Sequence, residues 1–141
     1  MEWKKLRAMY ENTPIYKNEA DPLRFSAPDD GGLYLIGSTH FNPFTEEKIY
    51  LIKVGRSDVS LSRRMRDYRT ENPMMFHIAF NTLPKQIIRE NERTCHAILY
   101  SVCEGLMENS EEWVKVSGET YLEICEKGFQ YFAERISQIN P

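Results

Sequence analysis

Apolar positions along the chain follow two rhythms. Leu33-Tyr34-Leu35-Ile36 is a short continuous run bounded by glycines, which predicts a strand. Lys48 to Gly55 is a second run, apolar on both faces, and that places it centrally in a sheet. Between them lies a polar stretch, Ser38 to Glu47, with Asn42-Pro43 inside it. The pair is expected to form an antiparallel hairpin with a long loop. Met74 to Asn81 predicts a third strand, and the alternation Glu112-Trp113-Val114-Lys115-Val116 a short fourth.

The other rhythm is helical. Leu61, Met65 and Tyr68 fall at i, i+4, i+7 behind a capping Ser60, and Asn72-Pro73 stops the segment. Pro84 suits the first turn of a longer helix, whose apolar line runs through Ile88, Cys95, Ile98/Leu99, Val102 and Leu106. Ser117 caps a last helix carrying Leu122, Cys125, Phe129, Phe132 and Ile136. Trp3, Leu6 and Tyr10 predict a short helix over 2–11, ended by Thr13-Pro14. Residues 12–32 hold three prolines and Asp29-Asp30-Gly31-Gly32, and read as an irregular lead-in. Residues 1–30 are thus an extension to a compact unit over 31–141. The order β-β-α-β-α-β-α implies an α/β (α+β) fold, with a small, mainly antiparallel central sheet flanked by helices.

With 141 residues and 41% apolar composition, this is one globular domain. No run approaches the ~18 apolar residues that cross a bilayer, and the charged start shows no secretory signal. Cys95, Cys103 and Cys125 are odd in number and lack CxxC spacing, so reduced thiols in the cytoplasm are expected rather than disulfides or zinc.

The formal charge of -3 excludes an evenly basic nucleic-acid coat. The average conceals a local patch. Arg56 to Arg69 carries Arg56, Arg63, Arg64, Arg66 and Arg69 against Asp58 and Asp67, a local charge of +3. Guanidiniums are planar, permanently charged forks that suit phosphate oxygens, while the bland reading is a solvated helix face. At ~100° per residue, Arg64 and Arg69 flank the apolar stripe, and Arg63 and Arg66 point away.

Glu92 and His96 lie one turn apart on one shoulder of the long helix. A carboxylate is a hard ligand for Mg²⁺ and an imidazole can move a proton, although an ordinary surface i, i+4 pair has the same spacing. Tyr34, Tyr50 and Lys53 decorate the strand pair. Strand tyrosines commonly fill cores. A lysine in a central apolar strand has to reach a cleft or meet an anion, because burying its charge unpaired is costly.

Taken in order, Gly32-Leu33-Tyr34, Ile52-Lys53-Val54-Gly55-Arg56-Ser57, Leu61-Ser62-Arg63-Arg64-Met65 with Tyr68, Glu92 with His96, and Glu112-Trp113-Val114 resemble the motifs of the GIY-YIG nuclease superfamily. The likeness covers about residues 31–118. It is greatest to the phage and bacterial branch, whose second motif reads Lys-Ile-Gly-Arg-Thr and whose late motif reads Glu-Trp-Phe. The resemblance implies a metal-dependent endonuclease that hydrolyses phosphodiester bonds in DNA. Carried over by position, Tyr34 contacts or activates the attacking water and Arg64 binds the scissile phosphate. Glu92 holds one Mg²⁺ or Mn²⁺, His96 is the histidine four residues on, and Lys53 stands where many members have tyrosine. Arg56, Arg63, Arg66 and Arg69 are the expected nucleic-acid contacts. RNA remains an alternative substrate, and a homodimer or protein partner is expected to supply specificity. Two rival readings are a catalytically idle binding module of the same fold and a regulatory protein whose acidic stretch, Glu104 to Glu123, meets a basic partner.

Overall fold

A computed structural model describes residues 13–19, 25–71, 75–106 and 112–139 of the chain. The helix expected over 2–11 lies outside them. The elements are β1 (Ile15–Lys17), β2 (Gly32–Asn42), β3 (Glu47–Ser57), α1 (Leu61–Glu71), β4 (Phe76–Thr82), α2 (Lys85–Val102), β5 (Gly105–Leu106), β6 (Val114–Val116), α3 (Gly118–Lys127) and α4 (Gln130–Ile139). The six strands form one sheet in the order β1-β4-β2-β3-β6-β5, with antiparallel neighbours throughout. This is the mixed fold with an antiparallel sheet that the two rhythms predict.

The hairpin at its centre is longer than expected. β2 and β3 pair continuously from Gly32↔Ser57 to Asn42↔Glu47, so the long loop shrinks to Pro43–Glu46. Ser38 is still buried, and residues 39–42 stay extended because a largely exposed ribbon needs no apolar alternation. Asn42 closes the turn by accepting the Phe44 N–H at 2.9 Å, and Glu46 takes φ 59°.

Two further departures have local causes. The lead-in contributes a strand: β1 pairs with β4, and Asn81 Nδ2 donates to both Thr13 Oγ1 and the Pro14 carbonyl at 2.9 Å. Such edge pairing is set by distant backbone partners, which periodicity does not reveal. The last helix is two helices. Gly128 adopts φ 58° and its N–H caps the Ile124 carbonyl at 2.7 Å, ending α3 before α4 begins. Leu122 consequently faces out, at 67% exposure, and Tyr121 and Ile124 carry the buried face of α3 instead. Leu106 likewise leaves the α2 line and sits in β5, because the chain turns extended at Cys103.

Alternation along the strands divides the interior in two. Leu33, Leu35, Ile52 and Val54 face a large core made by α2, α3 and α4. Tyr34, Ile36 and Phe80 face a smaller one, closed by Leu61, Met65 and Tyr68 of α1 with Phe25 and Trp113. Lys53, between Ile52 and Val54, points to the smaller side.

Candidate active site

The outer edge of β3 is the origin of the site. β6 pairs with β3 only over Tyr50–Ile52. Beyond that point, residues 53–57 have no strand neighbour on this edge among the described residues. The Val54 carbonyl is taken by His96, whose Nε2 donates to it at 2.6 Å. α1 on one face and α2 on the other thus reach the same open edge. The result is a polar cleft of about 450 Å³ in which Tyr34, Lys53, Arg56, Arg64, Glu92 and His96 all participate.

Tyr34 and Gly55 are cross-strand partners, and the tyrosine ring folds down over the glycine. Any Cβ at Gly55 would occupy the space of the ring and its hydroxyl. The tyrosine is almost wholly buried and lines the cleft. Burial pushes the Tyr34 phenol up to about 12, against a hydrogen bond from Arg64 that pulls the other way. Arg64 also stacks on Tyr68, with its guanidinium carbon 4.8 Å from the ring centre. Two tyrosines therefore orient one arginine.

Lys53 meets the anion that its burial demanded. Its ammonium donates to the Tyr68 hydroxyl and to Glu112 Oε2, and the Tyr68 ring lies beneath it. Lys53 holds the Glu112 carboxyl below the usual carboxylate range. Tyr68 and Glu112 stand in the motifs that carry the resemblance, yet neither is given a role in the site there. The further signal is a lysine in an apolar strand, whose anion lies 59 positions away.

Glu92 and His96 do not form the ordinary surface pair. Glu92 Oε1 lies 3.3 Å from Arg56 Nε, while Arg56 Nη1 contacts Asp58 Oδ2 at 2.6 Å. Both Glu92 and His96 turn toward the cleft. Tyr50 belongs elsewhere: it stacks on Tyr121 at 5.0 Å beside the larger core, as its even position on β3 requires. Arg63 and Arg66 are exposed on α1 and do not line the cleft, and the Arg69 side chain lies outside those described.

Among the described residues no group of three or more metal-ligating side chains occurs. Glu92 offers one carboxylate at 22% exposure in a polar cleft. That suits a hard ion such as Mg²⁺, which retains several waters and needs only one or two protein carboxylates beside a substrate phosphate. No family model, curated protein or solved structure matches the chain. Among the described residues no helix is long and apolar enough to cross a membrane.

Proposed function

We propose that the chain is a metal-dependent endonuclease of the GIY-YIG type, hydrolysing phosphodiester bonds in DNA. The observation that carries this reading is the convergence of Tyr34, Lys53, Arg64, Glu92 and His96 on one cleft from two strands and two helices. These residues were singled out by motif order, and nothing in their spacing along the chain obliges them to meet.

Phosphodiester hydrolysis needs an oriented water, compensation of the charge that grows on the phosphoryl oxygens, and a stabilised leaving oxygen. Arg64, fixed by Tyr34 and Tyr68, receives the scissile phosphate. The Tyr34 hydroxyl, protonated at neutral pH, hydrogen-bonds and aligns the attacking water rather than standing ready as phenolate. Lys53 adds positive charge behind it, with Glu112 and Tyr68 holding its direction. His96, anchored through Nε2 on Val54, keeps the rest of its ring toward the cleft for proton transfer. Glu92 would hold a divalent ion, which when bound would supply charge stabilisation to the reaction. Arg56 is a further phosphate contact, and a second copy or a protein partner supplies sequence preference. The three free thiols fit a reducing, cytoplasmic setting.

A plasmid-nicking assay with Mg²⁺ tests the reading. Glu92→Gln and Arg64→Ala should each lower the rate by about 10²–10³. Undiminished nicking by both variants would overturn the roles given to these residues. A catalytically idle binding module is the second reading, favoured by the high proton affinity of Tyr34. It predicts salt-sensitive DNA binding with no cleavage under any divalent ion.

A further inference from the structure

Arg56 stands between two acids in the lining of the cleft. Its guanidinium does not close on either carboxylate as a two-pronged fork. Nη1 goes to Asp58 at 2.6 Å and Nε faces Glu92 at 3.3 Å. Each contact is single, and the arginine and Glu92 are 27% and 22% exposed. A split fork in contact with solvent is exchangeable for a phosphate, which offers two coplanar acceptors to one guanidinium. The Asp58 contact is the shorter of the two, so the arginine can leave Glu92 while staying tethered.

Glu92 is also the carboxylate assigned to the divalent ion. Its negative charge cannot serve a guanidinium and a dication fully at once, since the two cations repel each other across one acceptor. We infer that Arg56 is a latch on Glu92, which an incoming phosphodiester opens, so that phosphate and divalent ion enter the cleft cooperatively. The inference rests on the proposed role of Glu92 as the ion's ligand. It adds that the free protein binds the ion weakly, and that nucleic acid and ion raise each other's affinity by the same factor. A nuclease built this way is armed by its substrate rather than by the ambient ion.

The test measures Mn²⁺ affinity by electron paramagnetic resonance, on the full chain, with and without an uncleavable phosphorothioate DNA duplex. Without DNA, Glu92→Gln should weaken Mn²⁺ binding several-fold, and Arg56→Gln should tighten it about 5- to 10-fold. With DNA, the wild type should tighten, and Arg56→Gln should tighten by a smaller factor. Arg56→Met, which keeps the aliphatic stem, carries the same expectation if the glutamine variant melts early. Mn²⁺ binding indifferent to Glu92→Gln would defeat the ligand role, and with it the reading beneath the latch. Binding that depends on Glu92 but is unchanged or weakened by loss of Arg56 would defeat the latch alone, making Arg56 a fixed support for the carboxylate. Equal tightening by DNA in wild type and variant would also defeat it.

Discussion

The two sides of the sheet are built from the same strands and to different ends. The larger side is closed by three helices and lined by Leu33, Leu35, Ile52, Val54, Ile98, Leu99, Phe129 and Phe132. Among the described residues the smaller side rests on one helix, and its centre is a pair of tyrosines with a buried lysine among them. One residue of register separates Val54, with 1% exposure in the large core, from Lys53, with 2% exposure and an ammonium to satisfy. The apolar side can be closed completely because it has no groups to present. The polar side borrows rigidity from the same strands and spends its own packing on orienting Tyr34, Lys53 and Arg64. Glu92 and His96 belong to a helix of the large side and reach the site only around the open edge of β3.

That division predicts that stability and activity separate. Phe132→Ala removes a fully buried ring from the large core and should cost about 3–5 kcal/mol in urea unfolding. Arg64→Ala should cost under about 1 kcal/mol, the scale of its stacking on Tyr68, while lowering nicking by about 10²–10³. If Arg64→Ala unfolded the chain as readily as Phe132→Ala, the two sides would be one cooperative core and the comparison would fail.

The sides should also differ in their response to pH. Burial raises the phenols of Tyr121 and Tyr131 and the thiols of Cys95 and Cys125 above their ordinary values, that of Cys125 to about 11. The unfolded chain releases these protons first as pH climbs through about 9–10, and the folded chain keeps them. Stability present below that range is therefore lost as pH rises toward the folded values. Urea midpoints should fall between pH 9 and 11, and fall less in Tyr121→Phe. The alkaline limb includes Tyr34 from the small side, so an unchanged slope in Tyr121→Phe together with a flattened one in Tyr34→Phe would assign the limb to the site. Glu112 works in the opposite sense. Its carboxyl lies below the ordinary range through Lys53, so its contribution is present above that range and fades as pH falls through it. Because Glu112 is 63% exposed, losing its partner leaves no buried charge behind. Lys53→Met should accordingly keep stability within about 1 kcal/mol of wild type while activity falls about 10²-fold.

These contrasts explain what could be read in advance. The Leu61, Met65, Tyr68 stripe is buried as its spacing requires, because one helix against one sheet face is a local problem. The convergence of Tyr34, Arg64, Glu92 and His96 was legible only through motif order. Lys53 announced that it needed an anion and could not say which, since Glu112 lies 59 positions on, in the segment that leads into β6. Gly55 hid its purpose in the same way. Its lack of a Cβ makes sense only once the hairpin register sets it opposite Tyr34. Edge pairing by β1 and the break at Gly128 depend on backbone partners and one positive φ. Hydrophobic periodicity contains neither.

The break at Gly128 yields the smallest expected effect. The apolar recurrence Leu122, Cys125, Phe129, Phe132, Ile136 reads as one stripe on one helix. With the axis interrupted, Leu122 turns outward at 67% exposure while Phe129 and Phe132 remain fully buried. Leu122→Gln should then shift the urea midpoint by no more than about 0.5 kcal/mol equivalent, as surface changes do. The same substitution on an unbroken helix would place a polar amide against the core and cost several times more. A loss above about 1 kcal/mol at dilute concentration would therefore mean that α3 and α4 run as one helix in solution. A loss that grows with protein concentration would mean instead that a second copy covers this face, and the large side would then be an interface as well as a core.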